Sequence, residues 1–323
     1  MGQVFLPTFL LFADREMSSP ASHCLKTVAV IVVFFPDKRL LLRLVHALQA
    51  QVKNIVIVDN SAPATVFEGL QWEKDDRIVW LSLGANRGVA AAQNVGVAWA
   101  RDQGATHVVL FDQDSEPAPD MVTRLLAAAK AENEKGFKIA AVGPCYLDQR
   151  QNNPPPFIRV EKLRLKRCVC DTQDAVVPVD YLISSGCLIP MATLDAVGGM
   201  VDELFIDYVD IEWGLRARRA GFQSFGVCNA FMHHSLGETP IRFFGRNLPL
   251  HTPLRHYYHF RNAVWLYRQE WVPRNWKWVD GYRLLLKYGF YSLFARPRFS
   301  HLRMMTLGAW HGLRGRMGCL EEA

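Results

Sequence analysis

Asp112-Gln113-Asp114 carries the sharpest chemistry in the chain. Two carboxylates separated by one residue can share a hard divalent cation such as Mg²⁺, whose oxygen shell leaves places for phosphate oxygens. The same tripeptide also reads as an Asp-rich turn, or as a cap for the helix that follows. The apolar run before it, residues 107–111, places the pair just past a buried strand and favours the metal reading. Asp59 stands in the same relation to the apolar run 54–58. A carboxylate there can accept hydrogen bonds from the base or ribose of a nucleotide, or simply close an Asp-Asn-Ser turn.

Asn86-Arg87-Gly88 lies between a strand and a helix. A helix opened by glycine can turn its N-terminus to a phosphate, and Arg87 can add a charge-assisted contact. A loop with Gly88 in a special backbone conformation explains it without a ligand. Gln93 and Asn94 follow on an otherwise Ala/Val-rich helix and need partners. Asp207, Asp210 and Glu212 precede Arg216, Arg218 and Arg219. Helix-dipole complementation accounts for that order, yet a carboxylate at a helix start can also act as a general base. His233-His234 ends the last apolar run. Neighbouring strand residues point to opposite sides, so at most one of the two imidazoles is expected to coordinate a metal.

The elements that must position these residues alternate. Residues 27–35, 54–58, 78–83, 107–111 and 138–143 read as strands buried on both faces. Residues 37–51, 88–103 and 117–131 read as helices, the last with Pro117 in its first turn. This pattern predicts an α/β fold with a mostly parallel sheet whose ligands sit beyond the carboxyl ends of the strands. After a Pro-rich loop, residues 157–170 and 176–183 alternate as antiparallel additions do. Residues 191–197 and 210–220 read as helices and 224–233 as a last strand. Three parts are expected: an extension over 1–26, poorly ordered; an α/β domain over 27–254; and a helical region over 255–323.

The chain has 323 residues, 37 Lys and Arg, and 31 Asp and Glu, a net charge of +6. From Arg255 onward there are 12 bases and 4 acids, so this end carries +8 and the rest −2. No apolar stretch reaches the ~18 to 20 residues of a spanning helix, which excludes a multi-pass membrane protein. The 7 cysteines are irregularly spaced without a C-x-x-C pair. Neither a zinc site nor a disulfide framework is indicated, Cys168 and Cys170 read as same-face strand residues, and a reducing cytoplasm is the default compartment. The apolar run at residues 5–12 lacks a basic flank and is not expected to be a signal peptide.

Seven segments, VAVIVVFF, VDNS, NRGVAAAQNVG, LFDQDS, SSGCLI, FIDYVDIEWGLRARRAG and MHHSLGE, resemble in order the motifs of the inverting family 2 glycosyltransferases. The nearest likeness is to the bacterial rhamnosyltransferase branch, and it extends from about Val28 to Gly237. The resemblance implies a GT-A fold with a mixed, mostly parallel sheet and a C-terminal helical extension. It also implies Mg²⁺ or Mn²⁺ as cofactor and transfer of L-rhamnose from dTDP-L-rhamnose to a hydroxyl of a lipid-linked or growing cell-surface glycan. Residue by residue, it gives Asp59, Asn86, Arg87, Gly88, Asp112, Gln113 and Asp114 to the nucleotide sugar. Asp114, Asp112 and His234 go to the metal, with His233 as the fallback. Asp210 becomes the catalytic base; Ser185, Gly186 and Glu212 fall on the acceptor side. Two departures stand out: Val209 replaces the first acid of the usual E-D pair, and Phe34-Phe35 replaces a commonly polar strand end. The present acids argue against a catalytically inactive scaffold, and the absence of G-x-G-x-x-G after the first strand disfavours a dehydrogenase. Another nucleotide sugar, of UDP-hexose type, is the alternative donor.

Residues 255–323 hold 15 of the 37 aromatic residues. Arg261, Trp265, Tyr267, Arg268, Trp271, Trp276, Lys277 and Trp278 interleave bases with rings. That mixture suits peripheral contact with an anionic membrane, on the inner face of the cell membrane for a cytoplasmic enzyme. A packed helical cover or a dimer interface fits it equally. Nucleic acid is not expected as a partner, since no recognition motif is present.

Overall fold

The computed structural model describes residues 26–65, 75–147, 157–172, 174–234, 241–243, 246–248 and 250–320. The expected extension over 1–26 lies, apart from Lys26, outside the described residues.

β1 (Thr27–Val33) is buried at all seven positions. Its period-two alternation feeds two cores. Val28, Val30 and Val32 join Val56 and Val58 of β2 (Asn54–Asp59) and Leu110 of β4 (His107–Asp112) on one face. Ala29, Ile31 and Val33 join Ile55, Ile57 and Phe111 on the other. The first core is covered by α2 (Val89–Asp102) through Ala90, Ala92, Val97 and Ala100. The second is covered by α1 (Lys38–Gln49) through Leu41, Leu44 and Leu48, and by α3 (Met121–Glu134) through Met121 and Leu125. Gly96 lets α2 approach β1 closely, since a Cβ there would lie 2.2 Å from Val30 Cγ1. Asp37 caps α1, its Oδ1 accepting from Arg39 N at 2.8 Å and Leu40 N at 3.1 Å.

β3 (Ile78–Ser82), β2, β1 and β4 form the parallel half of a mixed sheet. The sheet continues through β10 (Leu188–Pro190), β6 (Ile139–Leu147), β11 (Gln223–His234) and β5 (Ser115–Pro117), and β9 (Val176–Val179) pairs with β11. β10 runs antiparallel to β4 and β6, β11 parallel to β6 and antiparallel to β5 and β9.

Three expectations change. Pro117 does not open a helix: it ends β5 opposite Met232, and α3 starts at Met121. A residue without an N–H is tolerated on an edge strand. Residues 157–170 are not one segment but a hairpin of β7 (Phe157–Glu161) and β8 (Arg164–Cys168), turning at Lys162 with φ 54°. Cys170 lies outside β8 and is disulfide-bonded to Cys228, 58 residues away, a pairing that local spacing does not signal. Disulfides are rare in a reducing cytoplasm, so this bond and the expected compartment pull in opposite directions.

α4 (Met191–Val197) and α5 (Val209–Arg219) precede β11. The C-terminal region forms α6 (Pro253–Arg268), α7 (Arg274–Phe294) and α8 (Arg298–Arg314). No helix among the described residues is long and apolar enough to cross a membrane.

Candidate active site

The carboxyl ends of β2, β1 and β4 lie side by side. Their register sets Asp59 beside Val33 and Asp112 beside Val32, so the two acids flank the end of β1. Asp59 is fully buried. Its Oδ1 accepts from Ser61 N at 3.0 Å and its Oδ2 from Thr65 N at 2.6 Å, so it closes the turn that follows β2. Asn60 ties this turn to the next loop: its Nδ2 donates to Asn86 Oδ1 at 3.0 Å and its Oδ1 accepts from Arg87 N at 2.7 Å. The exposed pair Asn86 and Arg87 is thereby fixed relative to Asp59. Gly88 has φ 85°, and a Cβ there would come within 2.6 Å of Phe205. The first donor of α2, Val89 N, is bonded to Phe205 O at 2.7 Å. That amide is therefore not offered to a phosphate, contrary to the sequence expectation for a glycine-opened helix. Asn94 likewise has structural partners, donating to Met200 O at 2.8 Å and Asp202 Oδ1 at 2.6 Å. Gln93 is buried, and its Oε1 has no partner among the described residues.

The turn holding Asp112 and Asp114 is secured from below. Ser185 is fully buried; its Oγ accepts from Asp112 N at 3.2 Å and lies 2.6 Å from Ser115 Oγ. Gly186, at φ 73°, donates its N–H to Leu110 O at 2.7 Å. Ser185 and Gly186, expected on the acceptor side, clamp β4 to β5 beneath the acids. Gln113 Oε1 accepts from Phe34 N at 2.7 Å, tying the same turn to the end of β1. β5 and β11 pair His234 with Ser115 and His233 with Glu116, so the His234 backbone lies across from the residue after Asp114. The His234 side chain and Gly237 lie outside the described residues; His233 is exposed. Among the described residues no group of three or more His, Cys, Asp or Glu is gathered as a metal site. The two carboxylates supply the hard oxygen donors that suit Mg²⁺ or Mn²⁺.

Asp210 sits in the first turn of α5, after three non-glycine residues with positive φ: Phe205 at 65°, Asp207 at 63° and Tyr208 at 64°. Such conformations cost on the order of 1–3 kcal/mol each and persist only where the surroundings enforce them. Asp210 Oδ1 accepts from Ile211 N at 2.9 Å. Burial first, and then the negative charges of Asp207 and Asp112, push its carboxyl up to about 6. Asp210 also borders a cavity of ≈ 10 Å³ with Leu110, Trp213 and Cys187, room for about one water. Glu212 points elsewhere. It is buried and bidentate to Arg216 at 2.7 and 2.9 Å, while Arg216 donates to Val197 O and Gly199 O. Through Arg216, Glu212 anchors α5 to the turn after α4.

A family profile described as glycosyl transferase family 2 matches residues 29–171. The chain is 32% identical over 246 residues, 76% of its own length and 81% of the relative's, to the dTDP-rhamnosyl transferase RfbF of Shigella flexneri. It belongs to the family 2 glycosyltransferases. The low-salt glycan biosynthesis hexosyltransferase Agl10 of Haloferax volcanii is 22% identical over 55% of this chain and 57% of that one. Among solved structures, S. aureus TarS 1-349 in complex with UDP superposes with TM-score 0.55 at 12% identity, covering 90% of this chain and 92% of that one. GalNAc-T7 with UDP, GalNAc and Mn2+ superposes with TM-score 0.54 at 13% identity; the match covers 91% of this chain and 57% of that one. These likenesses show the GT-A fold.

In this glycosyltransferase the C-terminal helices reach the loop before Asp210 directly. Asn262 on α6 is fully buried, and its Nδ2 lies 2.8 Å from each of Leu204 O, Ile206 O and Asp207 O. Its neighbour Arg261, also fully buried, donates to Glu203 O at 3.1 Å, to Leu204 O at 2.9 Å and to Gly318 O. The two side chains thus hold the backbone that carries the left-handed residues before Asp210. From α7, Asp280 Oδ2 accepts from Tyr208 Oη at 2.7 Å and Tyr267 Oη at 2.6 Å. Arg255 pairs with Asp207 at 3.3 Å. None of Asn60, Asn262 and Asp280 was marked as a site residue by sequence reading. The usable signal was a polar Arg-Asn pair on an aromatic, otherwise core-like helix.

Proposed function

We propose that this glycosyltransferase moves L-rhamnose from dTDP-L-rhamnose, with inversion at the anomeric carbon, to a hydroxyl of a lipid-linked or growing cell-surface glycan. The observation that carries the reading is Asp210: a partly buried carboxylate in the first turn of α5, raised to about 6, that borders a cavity with Leu110 of β4, two residues before Asp112. A general base is most effective when its pKa lies near the working pH. Asp210 takes the proton of the acceptor hydroxyl as that oxygen attacks the anomeric carbon and the bond to the nucleoside diphosphate breaks. Asp59, Asn86, Arg87, Gly88 and Gln113 frame the nucleotide side, with Asn60 fixing their spacing. Asp112 and Asp114 would hold Mg²⁺ or Mn²⁺, joined by His234. A cation bound there supplies positive charge against the charge that the leaving diphosphate gains.

The relative that is a dTDP-rhamnosyl transferase supports the donor assignment. UDP-hexose is the second reading, favoured by the S. aureus TarS 1-349 structure in complex with UDP-GlcNAc. A panel of nucleotide sugars, read by thermal stabilisation and donor hydrolysis with Mg²⁺ or Mn²⁺, separates them. Preference for dTDP-L-rhamnose is expected; preference for a UDP-hexose would replace the donor and keep the chemistry.

A further inference from the structure

The residues that gave the C-terminal sequence its interfacial texture divide between the interior and the surface. Arg261 and Trp276 are buried in the packed helices, and Tyr267 is bonded to Asp280. Trp278 of that group stays outside, together with further apolar residues of α7. Along α7, Trp278 is 72% exposed, Tyr282 65%, Leu285 68% and Leu293 62%, with Leu286 beside them. At ~100° per residue these positions fall within about 100° of one another around the helix. A soluble helix of this kind normally turns its apolar stripe inward; α7 has one inward through Val279, Leu284 and Tyr291 and a second outward.

The outward stripe continues onto a second element. Leu163, 67% exposed, sits at the tip of the β7–β8 hairpin. With Leu165 it lines a groove of about 470 Å³ whose other wall is Trp278, Val279, Tyr282 and Arg283 of α7. The two elements together carry nine Lys or Arg and two acids. One of the acids, Asp280, accepts the hydroxyls of Tyr208 and Tyr267, and the other, Glu161, pairs with Arg159 and Lys166. At the tip, Lys162 and Arg164 flank Leu163 and are exposed.

We infer that the outer face of α7 and the tip of the β7–β8 hairpin form one docking surface for an anionic lipid bilayer. Exposed Trp, Tyr and Leu flanked by bases match the boundary between acyl chains and anionic headgroups. A second copy of the chain would set this basic surface against itself, so charge selects an acidic partner. The surface is wired to the chemistry: Asp280 bonds α7 to Tyr208, two residues before Asp210. Docking therefore holds the catalytic loop next to the membrane, where a lipid-linked acceptor presents its hydroxyl. This deepens the acceptor half of the proposed function and rests on it.

The test is co-sedimentation of full-length protein with vesicles of phosphatidylglycerol and phosphatidylcholine, at low and high salt, against vesicles of phosphatidylcholine alone. Binding to the anionic vesicles at low salt, weakened by high salt, is expected. The exposed double variants Trp278→Ser/Leu285→Ser and Lys162→Glu/Arg164→Glu should each weaken it at least about tenfold, with melting temperature and donor hydrolysis unchanged. Absence of binding by the wild-type protein, or variants that bind like it, would overturn the inference. Self-association that the same variants abolish would assign the face to a second copy instead. Donor hydrolysis reads the catalytic proposal separately, so the two can fail independently.

Discussion

Asp210 must be ionised to accept a proton, yet its surroundings favour the protonated form. Its carboxyl is raised from 3.8 to about 6 by burial and then by Asp207 and Asp112. Transfer should therefore fall tenfold per pH unit below about 6, as the base becomes protonated. A rate profile flat from pH 7 to 5 would remove Asp210 from that role. The sign for stability is opposite. A carboxyl whose folded pKa is raised binds its proton more tightly in the folded state, so the folded protein loses stability as pH climbs from about 4 to 6. At neutral pH, Asp210→Asn should raise the melting temperature, by an amount corresponding to roughly 1–3 kcal/mol. An unchanged or lower melting temperature contradicts the burial account. The strand-end acids and Asp210 were legible in the sequence because apolar runs and a helix start mark their positions. The internal bonds of Ser185 and Glu212 were not legible, because residue type does not reveal whether a hydroxyl or carboxylate is already bonded inside the protein.

The element that most directly sets Asp210 in place is α6. Asn262 meets three carbonyls of the loop before α5, and replacing it with an apolar side chain strands buried acceptors at about 1–3 kcal/mol each. Asn262→Leu should lower kcat by at least about tenfold while donor affinity, measured by nucleotide binding, stays near wild type. Equal loss of nucleotide affinity would mean that the fold, not the loop, has failed. α6 and α8 also meet through histidines. His256 and His301 place their Nδ1 atoms 3.0 Å apart, with His251, Tyr291, Arg255 and Lys287 around them. Burial, then neighbouring positive charge, lowers His256 to about 3 and His251 to about 4. Their unfolded forms take up protons from about pH 6.5 downward while the folded forms do not, so stability is lost as pH falls below that value. Thermal denaturation of Asp210→Asn, which removes the opposing contribution of that carboxyl, should show a falling midpoint between pH 7 and 5; a constant midpoint would mean these imidazoles are already charged or solvated. The long strands and helices were readable from periodicity, whereas β5 and β10, three residues each, are too short to show a period. They exist because their neighbours in the sheet leave backbone groups to pair.

Across the whole molecule, the chain divides its charge between a slightly acidic body and a +8 C-terminal region. The proposed boundary at 254/255 marks that change in composition, but hydrogen bonds from Arg261, Asn262 and Asp280 cross it to the loop before Asp210. A cation held by Asp112 and Asp114 would supply positive charge to the donor's diphosphate. Chelation should therefore abolish transfer and Mg²⁺ or Mn²⁺ restore it; full activity in excess chelator would leave the acid pair a purely structural turn. The central claim is that Asp210 is the base of an inverting rhamnosyl transfer. Its most direct test is the rate of L-rhamnose transfer from saturating dTDP-L-rhamnose by the wild-type protein and by Asp210→Asn, with donor affinity measured alongside. The account predicts a loss of about 10²-fold or more in rate with donor affinity retained. Wild-type turnover by Asp210→Asn would contradict it.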